Sequence, residues 1–416
     1  MIHTNPISNE PLSSKPFMGL AHLMRMAISG KDLGPHAQEL ISRAKNDPDD
    51  ANALLDLSIL LQLTENREIA MNIQAEALAL KQLFHLPAEK GPSTRLLAFC
   101  APGDLMSNTP LECLIEHGDI SLDLLYVSPH LPFPAQVPDH DVAIIAMAES
   151  DPNRPILNQI QPILENWPRP VINSPLKILN LARETAYTLL NDESRIAYPG
   201  TVRSRRADLE RIGLNQGSPH DLMDTLEFPI IIRPIDSHAG KGLSKIADCL
   251  ELDEYLKRMP QTEFYVSRFI DYSSADGLFR KFRIVLIEGK PYICHMAISE
   301  HWMVHYLNAG MSEHPERRLE EAKNMENFDE GFAQRHKEVF LRLNERINLD
   351  YFGIDCAETA DGKLLIFEIA SAMVVHSMDP EEQFGYKLPQ MHKVYSAFRD
   401  LLIHTKSLRP SGLFSS

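Results

Sequence analysis

Residues 351–370 read YFGIDCAETADGKLLIFEIA. Two apolar runs, YFGIDCAET and KLLIFEIA, flank the turn signal Ala360-Asp361-Gly362-Lys363, which predicts a β-hairpin. Each run carries one acid among its apolar residues, Asp355 in the first and Glu368 in the second. Antiparallel pairing can bring the two carboxylates to one face of the sheet, a few ångströms apart. Buried carboxylates need a cation, and two sources are open. One is Mg²⁺ holding nucleotide phosphates, with Glu358 as a less buried accessory ligand. The other is Arg or Lys from the same sheet.

Outward from the hairpin, FRKFRIVLIEGKPYICHMAIS (279–299) predicts two more strands meeting at Glu288-Gly289-Lys290. Arg280 and Phe282 share one face by alternation, and Lys281 and Arg283 take the other. A basic pair on an inner face suits phosphate and an anionic substrate; on an edge strand it would simply be solvated. Further upstream, PIIIRPIDSHAGKGLSKI (229–246) is a buried strand ending in Arg233, then a loop with Gly240, Lys241 and Gly242. Glycines free the backbone so that amide N–H groups converge on an anion. Arg233 at the strand end is placed for phosphate oxygens. The loop lacks the Walker A spacing, and its alternative is an ordinary surface connection. His295, His301 and His305 follow. The last two are spaced for one helix face, which raises Zn²⁺, but the order is not His-Glu-x-x-His, and structural or substrate-contacting roles fit better.

The rest of the chain frames these residues. Its 416 residues suggest two or three domains. With 44% hydrophobic and 24% charged residues, the composition is that of a globular protein and excludes disorder, collagen and a disulfide scaffold. A formal net charge of -16 argues against nucleic acid as a partner, though not against a local anion pocket. The five cysteines form no Cys-x-x-Cys motif, which points to free thiols in a reducing compartment. No apolar run reaches membrane-spanning length and the first residues show no signal-peptide pattern, so a soluble, cytoplasmic protein without membrane partners is expected.

Residues 17–86 show helical spacing throughout. A 34-residue offset pairs Leu20 with Leu54, Leu23 with Leu57 and Ala27 with Leu61. Residues 54–77 also follow the small/large order of a tetratricopeptide repeat, with Gln74 where an aromatic is usual. A plain helical bundle is the alternative. After a linker at 87–93, strands and helices alternate through RLLAFCA, LECLIEHG, LDLLYVSP, DVAIIAMA, ILNQIQPILENW and PVINSP. This predicts an open, mostly parallel sheet. A helix is expected from 176 to 195, a charged helical stretch from 312 to 347, and a last helix in LPQMHKVYSAFRDLLIHT.

These segments, in this order, resemble the ATP-grasp superfamily, in the manner of glutathione synthetase and the ribosomal-protein glutamate ligases. The likeness runs over about 95–400. VINSP, LNLARETAYTLL and PGT (171–201) resemble the approach to the nucleotide-binding domains. The resemblance implies an α+β fold: a two-lobe nucleotide-binding unit over 186–406, preceded by a Rossmann-like α/β domain (91–185); the helical spacing adds a tetratricopeptide-like helical domain (1–90), and a flexible tail (407–416) is expected. It implies Arg233 on the α/β phosphates and Gly240, Lys241 and Gly242 in a phosphate lid. Ser267, Arg268, Phe269 and Ile270 would receive adenine. Lys281 and Arg283 would hold catalytic roles at the transferring group, and Asp355 and Glu368 would bind Mg²⁺. The implied activity is ATP-dependent carboxylate–amine ligation through an acyl phosphate, on small-molecule, peptide or protein substrates, with His295, His301 and His305 as substrate contacts. Two departures stand out. Arg233 replaces the usual Lys, and Ala370 replaces the Asn whose oxygen completes the metal site. The second favours an alternative, a weak or inactive ATP-binding scaffold with a helical module for a protein partner.

Overall fold

The computed structural model describes residues 3–4, 15–235, 237 and 240–408. The tail expected over 407–416 therefore lies outside the described residues from 409 onward, as do Asp236, His238 and Ala239 of the glycine-containing loop. Three sheets organise the described chain, with a minor parallel bridge between His3–Thr4 and Gln136–Val137.

The first sheet runs in the order Leu83–Leu86, Ile120–Tyr126, Thr94–Cys100, Val142–Ile145, Val171–Ile172. Its last four strands are parallel neighbours and the first is an antiparallel edge. The expectation of a mostly parallel sheet agrees. Both faces are covered, which is why the strands read as continuous apolar runs: Leu96 and Ala98 face one core, Leu97 and Phe99 another. Helical spacing in the sequence runs through residue 86. The helix Arg67–Leu80 instead stops, and Leu83–Leu86 joins the sheet edge. Pairing with Leu83–Leu86 satisfies the backbone groups on the outer edge of Ile120–Tyr126, which a continuing helix could not do.

Four helices precede this sheet: Gly19–Ile28, Gly34–Asn46, Ala51–Leu63 and Arg67–Leu80. Asp50 caps the third through the Ala53 N–H. That helix is buried on every side from Ala51 to Leu60. The helices share a continuous core with the sheet and with the last helix, Leu388–Ser407, through Leu23, Leu55, Phe84, Leu96, Val394 and Phe398. Gln74 is itself buried and bonds both ways to Gly103, donating to its carbonyl at 2.9 Å and accepting from its N–H at 2.8 Å. A polar residue at this repeat position thus docks the helix onto a loop of the sheet.

The second sheet is small and wholly antiparallel: Ser244–Ile246, Ile230–Pro234, Glu263–Arg268, Thr201–Arg205. Helices Arg206–Gly213 and Cys249–Arg258 back it, around a separate core that includes Leu209, Ile232, Leu252 and Phe264. The third sheet runs Lys290–Ser299, Phe279–Ile287, Tyr351–Glu358, Leu364–Ala370, Ile196–Ala197. The hairpin at 287–290 turns on Glu288 and Gly289, both at positive φ, as a two-residue type I′ turn requires.

Three expectations need correction. Residues 176–195 form two short helices, Pro175–Leu179 and Arg183–Leu190, because Ala182 is extended between them. The stretch 312–347 forms three, Pro315–Glu326, Phe332–Arg335 and Lys337–Ile347, the first break falling around Gly331. And Phe279–Ile287, considered as a solvated edge strand, is interior, with a partner on each side.

Because the helix Ala51–Leu63 has no solvent face over its first ten residues, truncation there cannot be absorbed by solvent. Leu55 is fully buried, and Leu55→Ala should cost about 2–5 kcal/mol, read as a fall in denaturation midpoint with unchanged slope.

Candidate functional site

One row of residues crosses the third sheet in register: His295, Arg283, Asp355, Glu368. Directly opposed residues in antiparallel strands share a face, so all four point the same way. Two bulges make the row. On the outer strand, Arg283 opposes His295 while Ile284 opposes Ile293, leaving Cys294 as the extra residue. On the other side, Asp355 opposes Glu368 while Cys356 opposes Ile366, leaving Phe367 extra. Plain alternation would put Glu368 and Ile366 on one face. The bulge sends Ile366 into the core and Glu368 to the open side.

The open face ends abruptly. Lys281 and Arg283 share it with Val285 and Ile287, but the latter two are covered by the core that contains the last helix. Arg280 lies on the opposite face, paired with Asp276 and Glu320, as alternation predicts.

Asp355 is 3% exposed and surrounded by cations. Arg283 grips it through a fork, Nε to Oδ1 at 2.8 Å and Nη2 to Oδ2 at 3.0 Å. Lys281 Nζ lies 2.6 Å from Oδ2. Burial opposes ionisation, but Arg283 and then Lys281 hold this carboxyl well below its ordinary range. Arg283 also donates to the Val374 carbonyl at 3.1 Å. Glu368 is more open. Arg183 Nη2 meets its Oε1 at 3.1 Å and Arg183 Nη1 donates to the Phe367 carbonyl at 3.0 Å. Burial again opposes ionisation, and Arg183, Arg233 and Lys281 outweigh it, so Glu368 too stays ionised.

Arg233 faces this group from the second sheet. Its Nε donates to Ser237 Oγ at 3.2 Å, and among the described residues it has no carboxylate partner. Burial, then the Arg183 charge, lowers its pKa to about 10, so it remains cationic at neutral pH. The cleft between the two sheets therefore holds Arg183, Arg233, Lys281 and Arg283 against Asp355 and Glu368. Among the described residues these four positive charges face two carboxylates, and Glu149 also acts on Arg183.

The loop residues sit at its rim. Gly240 and Gly242 both adopt positive φ, at +73° and +71°, where a side chain would be strained. A Cβ on Gly242 would also meet Pro234 Cδ at 2.9 Å, and its carbonyl accepts from Tyr255 OH at 2.7 Å. Lys241 is exposed. Ser267 and Arg268 lie inside a strand, opposite Ile231 and Ile230, and the Phe269 N–H donates to the Pro229 carbonyl at 3.1 Å. Only the backbone beyond Phe269 leaves this ladder. Arg268 pairs with Glu227 at 2.9 Å. Lys245 Nζ stands 3.6 Å from the centre of the Phe269 ring, a cation–π contact beside the same segment. Ile270 packs on the main core.

The histidines separate. His295 is in the row, its ring 4.6 Å from that of Tyr306; burial, Arg283 and Lys387 lower its pKa well below the usual value. His305 lines the Gly240 side, and burial followed by Lys281 lowers it as well. Both imidazoles are neutral at pH 7. His301 is exposed on a bend, and no helix joins it to His305, so the one-face spacing does not apply. Among the described residues no group of three His, Cys, Asp or Glu is arranged to hold a metal ion.

The donor set does not fit Mg²⁺. Both Asp355 oxygens are held by cations, one Glu368 oxygen is held by Arg183, and Ala370 offers no side-chain oxygen. The alternative weighed from sequence, pairing with Lys and Arg of the same sheet, is the one seen for Asp355. The sequence puts Arg183 inside one helix over 176–195, where nothing marks it as a site residue; in the structure it opens the helix Arg183–Leu190 and reaches Glu368.

Removing the Asp355 charge should strand two cations. Asp355→Asn is expected to cost about 3–5 kcal/mol at neutral pH. Because the folded pKa lies well below the unfolded one, this contribution is fully present above the ordinary carboxylate range, starts to fall there, and is lost only as pH drops through the folded pKa. The stability gap between parent and variant should therefore narrow between about pH 5 and pH 2, measured by denaturation at each pH. A gap that does not begin to narrow below the ordinary carboxylate range would contradict this account.

No family model matches the chain, and no curated protein matches it. Solved structures do align with it. A RimK-domain ATP-grasp protein from Sphaerobacter thermophilus is 15% identical over 74% of this chain and 99% of its own, with a TM-score of 0.43. The D-alanine–D-alanine ligase of Bacillus anthracis complexed with ATP is 15% identical over 76% and 97%, at 0.45. The D-alanyl-alanine synthetase A of Vibrio cholerae is 14% identical over 75% and 98%, at 0.47. No helix among the described residues is long and apolar enough to cross a membrane.

Proposed function

We propose that the chain is an ATP-dependent carboxylate–amine ligase working in the cleft between the second and third sheets. The observation that carries the reading is the convergence of Arg183, Arg233, Lys281 and Arg283 on one cleft beside Asp355 and Glu368. A polyphosphate needs that concentration of donors and charge. The ATP-grasp resemblance of the same segments supplies the chemistry.

In this reading Arg233 holds the α/β phosphates and the Gly240–Gly242 segment lies over them. Backbone beyond Phe269 receives the base, with Lys245 beside it. A substrate carboxylate oxygen attacks the γ-phosphorus, the bond to the β–γ bridging oxygen breaks, and ADP leaves. The acyl phosphate is then attacked by an amine, the carbon–phosphate oxygen bond breaks, and the amine proton is lost to solvent or a base. Lys281 and Arg283 spread the charge of the transferring group. His295 and His305, both neutral, offer hydrogen bonds to the acceptor without adding charge. The substrates fitting this scheme are small-molecule or peptide carboxylates and amines, in a soluble, cytoplasmic setting.

A second reading is favoured by one specific observation: Asp355 is fully engaged by Lys281 and Arg283, and Ala370 removes an oxygen. The cleft then binds ATP without turning it over, and the exposed faces of the N-terminal helices serve a protein partner. ADP release that depends on both a carboxylate and an amine separates the two readings. Under either, Arg233→Met should weaken ATP binding about 10- to 100-fold while leaving the melting temperature nearly unchanged, since Arg233 has no carboxylate partner among the described residues to strand. Unaltered calorimetric affinity in this variant would remove Arg233 from the phosphate site.

A further inference from the structure

Resting on the nucleotide reading above, we propose that this cleft binds the triphosphate without a divalent cation, Lys281 and Arg283 standing where a metal ion would be held. Three features of the site support it. First, the geometry of Asp355 is complete: a two-point fork from Arg283 and a short contact from Lys281 satisfy both oxygens in a place 3% exposed. Displacing them for a metal would leave two cations buried beside a third, which is more costly than the arrangement present. Second, the charge balance is wrong for capturing a cation. Among the described residues four basic side chains face Asp355 and Glu368, with Glu149 acting on Arg183 as well, and Arg233 has only a hydroxyl partner. Such a cleft repels Mg²⁺ and attracts phosphate. Third, the position that would supply a third oxygen is Ala370, opposite Gly353 in the next strand, so neither residue of that pair can contribute a side-chain ligand.

The carboxylates then have a different task. Asp355 fixes Lys281 and Arg283 in one geometry, so their donors are already aligned when phosphate arrives. Glu368 orients Arg183 but also faces the incoming anion. Here the proposal and a metal site make opposite predictions. If Glu368 were a metal ligand, Glu368→Gln would weaken binding of the metal–nucleotide complex. If the site takes the anion directly, Glu368→Gln removes a repelling charge and tightens binding.

The test is titration calorimetry of the full-length protein with ATP, in EDTA and again in excess Mg²⁺, using the parent, Glu368→Gln and Lys281→Met. The expected result is affinity in EDTA at least equal to that in Mg²⁺, a gain of about threefold or more in Glu368→Gln, and a loss of about tenfold or more in Lys281→Met in EDTA. Thermal melts of each variant show whether it is folded. Binding that requires Mg²⁺, or that weakens in folded Glu368→Gln, overturns the metal-free proposal and leaves the nucleotide reading intact. Absence of binding by the parent in both buffers overturns the nucleotide reading itself. Should Lys281→Met fail to fold, the sign of the Glu368→Gln effect still decides.

Discussion

The fork between Arg283 and Asp355 joins two neighbouring strands of the third sheet through their side chains as well as their backbones. It is nearly dry, so its two charges are worth holding only together. That constraint propagates. Lys281 is drawn to the same carboxylate, Glu368 is placed beside it by register, and Arg183 is recruited to Glu368 from a separate helix. The bulges at Cys294 and Phe367 are the backbone's contribution. They let strands whose other residues pack a core present one polar row at the rim of that core.

Much of this was legible in the chain. Period-two alternation assigned Lys281 and Arg283 to one face and Arg280 to the other, because no bulge intervenes on that strand between them. The hairpin over 360–363 followed from its turn residues, and opposed acids in two apolar strands already implied a shared face. What alternation could not supply was the neighbour. An acid in an apolar strand needs a cation, but its identity depends on which strand lies alongside, and strand order is a property of the whole sheet. Arg183 was hidden for a related reason: its local sequence is good helix, and the non-helical Ala182 before it shows only in the fold. His301 and His305 show the opposite error, a helical spacing in a segment that never becomes a helix.

The N-terminal helices make the same point at larger scale. Their spacing is helical and their internal order is repeat-like, yet they are one layer of a core that also contains the first sheet and the last helix. Gln74 marks the difference. A residue at a repeat's packing position has become a hydrogen-bonding link to Gly103, tying the helices to the sheet.

That shared core has a consequence for how the chain is made. Leu23, Leu55 and Phe84 emerge early from the ribosome, whereas Val394, Phe398 and Leu402, which pack in the same cluster, emerge some three hundred residues later. Until then the early helices present an unfinished apolar surface to solvent. Contacts this distant in sequence close slowly. The small antiparallel sheet, with its own core between residues 202 and 266, is complete long before. Nascent chains should therefore carry a finished small lobe while the helices N-terminal to it keep an open apolar face until residues 394–402 arrive.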